Sequence, residues 1–150
     1  MDFTPAKLNT FLLFKLPSAY FSGVRVKEIS SEKCVASVKH RWINQNPFNS
    51  MYFAVQAMAA ELTTGALAMY HIKKSGKNIS MLVANNKGNF SKKAKGRITF
   101  TCTGGSIMAE AIAQAVATGE GQTIWLKAIG VDEKGDKVSE MDFEWSVKLK

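Results

Sequence analysis

Cysteine is scarce in this 150-residue chain, with only Cys34 and Cys102 present. Two thiols cannot build a disulfide framework, and that points to a reducing compartment. Both fall within apolar alternation, where a cysteine acts as a small buried hydrophobe. Also missing is an unbroken apolar run long enough to cross a membrane. Met51–Tyr70 has the length, but Gln56, Glu61, Thr63 and Thr64 interrupt it. The start does not read as a secretory leader, since Asp2 opens the chain and the apolar run Phe11–Phe14 is too short. The expectation is a cytoplasmic protein with no membrane span.

Acidic residues are in deficit, 12 against 20 Lys and Arg, for a net charge of +8. Such an excess steers anionic partners toward the surface and says little about fold. The chain has no zinc-ligand spacing, no helix-turn-helix pattern and no aromatic ladder beside its lysines, so nucleic-acid binding is not the leading expectation. Histidine is limited to His40 and His71. Both are isolated, so neither a metal site nor a Ser–His–Asp arrangement is expected. Gly104-Gly105 lacks the remainder of a phosphate loop.

What the chain does contain is a composition ordinary for one globular domain, 46% hydrophobic and 21% charged. Its centre is Asn44–Tyr70, a polar turn running into a long apolar helix expected from Ser50 to about Ile72. Helical stepping puts Ser50, Ala54, Ala57, Glu61, Gly65 and Ala68 on one stripe of small residues with a single carboxylate in it. Met51, Val55, Met58, Leu62, Ala66 and Met69 form an apolar stripe. A helix apolar nearly all round is buried, and a buried carboxylate is costly unless paired or hydrogen-bonded. Glu61 therefore demands a reason. One is structural, a tie to Thr64, to backbone or to another subunit.

Around this helix, Thr4-Pro5 starts a short helix that ends at Pro17. Strands are expected at Gly23–Ile29, Lys33–Trp42, Ile79–Ala84 and Gly96–Cys102, with Asn85–Asn89 as a turn or irregular stretch. Gly104-Gly105-Ser106 leads into a helix over Ile107–Thr118. Thr123–Val131 and Lys137–Lys148 read as a hairpin. Its last strand alternates Met141, Phe143, Trp145, Val147 and Leu149 against Glu140, Asp142, Glu144, Ser146 and Lys148. The economical packing for this α+β set is an antiparallel sheet wrapped around the long helix as a single domain over 1–150.

This order of elements resembles the hotdog fold. In hotdog acyl-CoA thioesterases an Asn in the turn precedes a His-Gly-Gly helix start, and an Asp or Glu follows about two turns later. Setting Glu61 on that acid places Tyr52-Phe53-Ala54 on the His-Gly-Gly and Asn46 on the turn Asn without a gap. The glycines are absent here. A finer resemblance is to the hotdog family catalogued as domain of unknown function 4442 (DUF4442). It is carried by the stretch N-P-F-x-S-x-Y from Asn46 to Tyr52, by A-E-L-x-x-G from Ala60 to Gly65, and by Phe90, Lys92, Ala94 and Gly96. The Cys102 region, Ala117–Glu120 and Trp145–Lys148 complete it.

The resemblance implies a homodimer or dimer of dimers with sites between subunits, and acyl-CoA hydrolysis to a carboxylic acid and CoA. No separate cofactor is implied, because coenzyme A belongs to the substrate. Glu61 would act as general base or nucleophile, Asn46 would orient it, the water or the substrate, and the backbone amides of Tyr52 and Phe53 would form the oxyanion site. Asn49, Gln56 and Thr64 are candidate substrate contacts. Lys92, Lys93 and Lys95 are candidates for the CoA phosphates. The alternatives are a catalytically silent hotdog protein that binds an acyl or other apolar ligand, and a basic surface for nucleic acid or anionic lipid.

Overall fold

The computed structural model describes residues 2–150. Helix α1 (Pro5–Lys15) starts at Thr4, whose Oγ1 accepts from the Lys7 amide, and it buries Leu8 and Leu12. The Asn9 carboxamide pins it to the sheet by accepting from the Val26 amide and donating to the Val26 carbonyl. Pro17 does more than stop α1. Proline suits a first helical position, and a second short helix, α2 (Pro17–Phe21), begins on it.

Strands β1 (Arg25–Ile29) and β2 (Cys34–Lys39) form a hairpin whose turn is held by Ser30 Oγ, which accepts from the amides of Glu32 and Lys33. The sequence pattern carries β2 to Trp42, but the strand ends at Lys39. A 3-10 turn at Trp42–Asn44 follows because the buried Asn44 side chain competes for backbone. Its Oδ1 accepts from the Arg41 amide and its Nδ2 donates to the Ser22 and Lys39 carbonyls. Trp42 therefore projects outward, 82% exposed, and does not share a core face with Val38.

The long helix is α3 (Phe53–Ser75), closed by Gly76 at φ 67, a left-handed conformation that glycine adopts at no steric cost. Strand β3 (Ile79–Phe90) is the larger departure, since Asn85–Asn89 is not a turn. Those turn-forming residues pair with the last strand, β6 (Lys137–Leu149), after a bulge between Val83 and Asn85, and Asn85 Nδ2 donates to Glu144 Oε1. Long-range pairing outweighs local preference here.

The remaining elements are β4 (Arg97–Cys102), α4 (Gly105–Thr118) and β5 (Gln122–Val131). All strands pair antiparallel in the order β1-β2-β4-β5-β6-β3. The sheet curls over α3, which packs on β2, β4 and β5 and against α4. Alternation along β6 buries Met141, Phe143, Trp145 and Val147 as the pattern requires. Cys34 faces Cys102 across β2 and β4, both thiols are free and buried, and burial pushes Cys34 up to about 12. Helix α4 begins where the chain passes close to the β1–β2 turn. A Cβ on Gly105 would stand 1.9 Å from the Ser31 carbonyl oxygen, so only glycine fits.

Candidate active site along the central helix

The loop before α3 is organised by Asn46. Its Oδ1 accepts from the amides of Phe48 and Ser50 at 2.9 and 3.2 Å, and its Nδ2 donates to Ser50 Oγ and the Met51 carbonyl at 3.0 and 3.3 Å. The Asn46 side chain is thus engaged within its own turn. Asn49 adopts φ 57 in that turn, a left-handed conformation that asparagine tolerates. Hydrogen bonds from the Met51 amide to the Ala94 carbonyl and from the Tyr52 amide to the Asn44 carbonyl then lead the chain into α3.

These bonds decide which amides are free. Tyr52, read as an oxyanion donor, spends its amide on Asn44. Val55 and Gln56 donate to the Tyr52 carbonyl. Among the described residues, the amides of Phe53 and Ala54 have no acceptor, and they stand at the positive end of a 23-residue helix whose cap residue Tyr52 makes no side-chain bond. The sequence points to Ala54 only as a small residue and a motif position, not as a donor. Only the bond to Asn44 moves the pair of free donors one residue along.

The free amides sit beside a cleft of about 530 Å³, which Asn46, Tyr52, Phe53, Gln56, Phe90, Lys92 and Lys93 help to line. Three aromatic rings shape this end of the molecule, with Tyr52 edge-on to Phe53 and Phe53 edge-on to Phe90 at centroid distances of 5.1 and 6.1 Å. Lys92 is ion-paired to Asp132 and Asp136 at 2.6 and 2.8 Å, and hydrogen bonds to those two carboxylates push its pKa up. Lys93 and Lys95 carry no ion pair among the described residues. They line a neighbouring cavity of about 350 Å³ with Lys92 and Asp132.

Glu61 does not line this cleft. It lies eight residues beyond Phe53, about 12 Å along the helix axis, on a flank of α3 left half-open together with Ala54, Ala57 and Met58. Its carboxylate has no hydrogen bond and no ion pair among the described residues, and burial raises its pKa above the ordinary 4.5. The neighbouring turn makes room for it. A Cβ at Gly65 would lie 3.2 Å from the Trp145 ring and 3.5 Å from Glu61 Oε1. Trp145 is fixed by its Nε1–H donating to Thr64 Oγ1 at 2.9 Å, and Thr64 Oγ1 in turn donates to the Glu61 carbonyl. Thr64 is fully buried and engaged in these bonds, so it braces the helix at Glu61.

A six-stranded antiparallel sheet curled over one long helix is the hotdog fold, and known proteins share it. The chain belongs to the family described as domain of unknown function (DUF4442), which it matches over residues 6–147. A Pseudomonas aeruginosa protein of unknown function, named a probable thioesterase, superposes with a TM-score of 0.80 at 21% identity, covering 98% of this chain and 97% of its own. A protein of unknown function from Chlorobaculum tepidum gives a TM-score of 0.82 at 13% identity, with 97% and 94% covered. A Haemophilus influenzae thioesterase gives 0.73 at 13%, with 99% and 93% covered. At these identities the likeness is one of fold. No curated protein matches the chain. Among the described residues no helix is long and apolar enough to cross a membrane.

Proposed function

We propose that the protein is an acyl-CoA thioesterase whose site is assembled between two copies of the chain. The observation that carries this reading is the lone Glu61 carboxylate, desolvated and unpartnered on the half-open flank of α3. A group in that state is a stronger base than an exposed carboxylate, and it faces space that no residue of its own chain fills. In one chain Glu61 and the free amides are about 12 Å apart, too far to act on one carbonyl. Two α3 helices packed antiparallel would bring Glu61 of the partner subunit to the amides of Phe53 and Ala54.

In this mechanism the two amides bind the thioester carbonyl oxygen and stabilise its negative charge. Glu61 takes a proton from water as the water oxygen attacks the carbonyl carbon. The carbon–sulfur bond then breaks, the proton passes to the departing CoA thiolate, and a carboxylic acid is released. Lys93 and Lys95 would meet the CoA phosphates. Asn46 acts by shaping the turn that aims the amides.

The test is a panel of acyl-CoAs followed by release of free thiol, with Glu61→Gln as the control. Activity is expected to fall at least about tenfold in that variant while the fold is kept. Equal rates would remove Glu61 from the reaction. Thermal stabilisation by acyl-CoA without thiol release would instead mark a silent acyl-binding protein.

A further inference from the structure

Gln56 carries a carboxamide with no partner. The residue is 4% exposed and its Oε1 is fully buried without a hydrogen bond. Among the described residues nothing bonds to its Nε2 either. Buried polar atoms are rarely left unmade, because each loses its water and gains nothing in return. Gln56 lies in the first turns of α3 and forms part of the wall of the 530 Å³ cleft. Helical side chains lean toward the N-terminus, the end of α3 at which the amides of Phe53 and Ala54 lie free.

We propose that Gln56 recognises the secondary amide that lies two methylenes from the thioester sulfur, in the cysteamine unit of the substrate. The inference rests on the thioester reading above and adds to it the group that holds the leaving arm. With the carbonyl oxygen on the amides of Phe53 and Ala54, the cysteamine nitrogen lies beyond sulfur and two carbons. That extended reach of about 5 Å is close to one helical turn. Gln56 is three residues past Phe53, a rise of about 4.5 Å. At that level the ligand N–H can donate to Gln56 Oε1. An ester or a hydrocarbon in the same place offers Oε1 no donor. The discrimination is strongest where the unsatisfied group is buried, as Oε1 is.

The test uses binding of a non-hydrolysable analogue to the full chain. The probe is the 2-oxohexyl thioether of N-acetylcysteamine, compared by calorimetry with its isostere in which an ester oxygen replaces the N–H. The wild-type protein is expected to bind the amide about tenfold more tightly, the size of one buried hydrogen bond. Gln56→Leu should bind both alike. Equal binding of the two probes by the wild type overturns the proposal, and that comparison needs no variant to fold. Both coenzyme A and a carrier protein's phosphopantetheine present this arm. Running thioethers of each alongside assigns the source by which binds more tightly, and binding of neither overturns the proposal. Because the readout is affinity, amide preference in a protein that releases no thiol would end the hydrolase reading and leave this one standing.

Discussion

At the scale of single residues, Glu61 is unusual because no hydrogen bond or ion pair among the described residues offsets its burial. Its pKa is raised in the folded protein by desolvation, against about 4.5 in the unfolded chain. Between 4.5 and the raised value the native state binds more protons, so stability falls as pH rises through that window. Above it the whole penalty of holding a charged carboxylate there is present. Glu61→Gln removes the penalty. Its Tm should exceed that of the wild type at pH 8, and the gap should close as pH drops below 4.5. Thermal unfolding of both proteins across pH measures this, and a gap that widens on acidification would contradict the desolvation account. A residue that weakens the fold at neutral pH while priming a base is the usual exchange at a site.

At the scale of elements, the proposed oxyanion donors at the N-terminus of α3 can be edited one by one. Proline is tolerated at a first helical position, and Tyr52, at φ −61 and ψ 134, already has the extended backbone preferred before proline. Phe53→Pro should therefore delete one free amide and leave α3 standing. Its kcat is expected to fall about 10- to 100-fold with little change in Tm. Phe53→Ala, which loses the ring and keeps the amide, is the control. Steady-state kinetics on the pair separate the amide from the aromatic wall, and equal losses would assign the effect to the ring. The middle of the element is braced by packing. The Trp145–Thr64 bond braces the backbone near Glu61, and the missing Cβ at Gly65 leaves room for the Trp145 ring.

At the scale of the whole molecule, the sheet ends on one side in β3, a twelve-residue edge strand with Leu82 and Phe90 exposed. A long uncovered edge invites pairing with a second copy. The half-open flank of α3 that bears Glu61 is also left without cover. If two chains share each site, Glu61→Gln and Phe53→Pro damage different halves of it. Refolded together in equal amounts, they should regain about a quarter of wild-type activity, since half the dimers are mixed and each has one intact site. Activity of the mixture equal to the mean of the two variants would place the whole site within one chain.

The sequence by itself determined the long helix, its single acid, the hairpin of β5 and β6 and the α+β class. Each of these is written in local periodicity, at 3.6 residues for a helix and 2 for a strand, and periodicity follows from burial of one face. The resemblance reached the hotdog fold from the order of elements and the family from motifs spread along the chain from Asn46 to Lys148. Tertiary structure alone decided the rest, because it depends on contacts between residues distant in the chain. Asn85–Asn89 has the composition of a turn, and only β6 makes it strand. Trp42 has the hydrophobicity of core, and only the bonds of Asn44 to Ser22 and Lys39 turn it outward. Tyr52 and Phe53 are alike as helix-start residues. The Asn44 carbonyl takes one amide and leaves the other free. Gln56 reads as an ordinary helix polar until its burial beside an open cleft shows that its carboxamide has no partner.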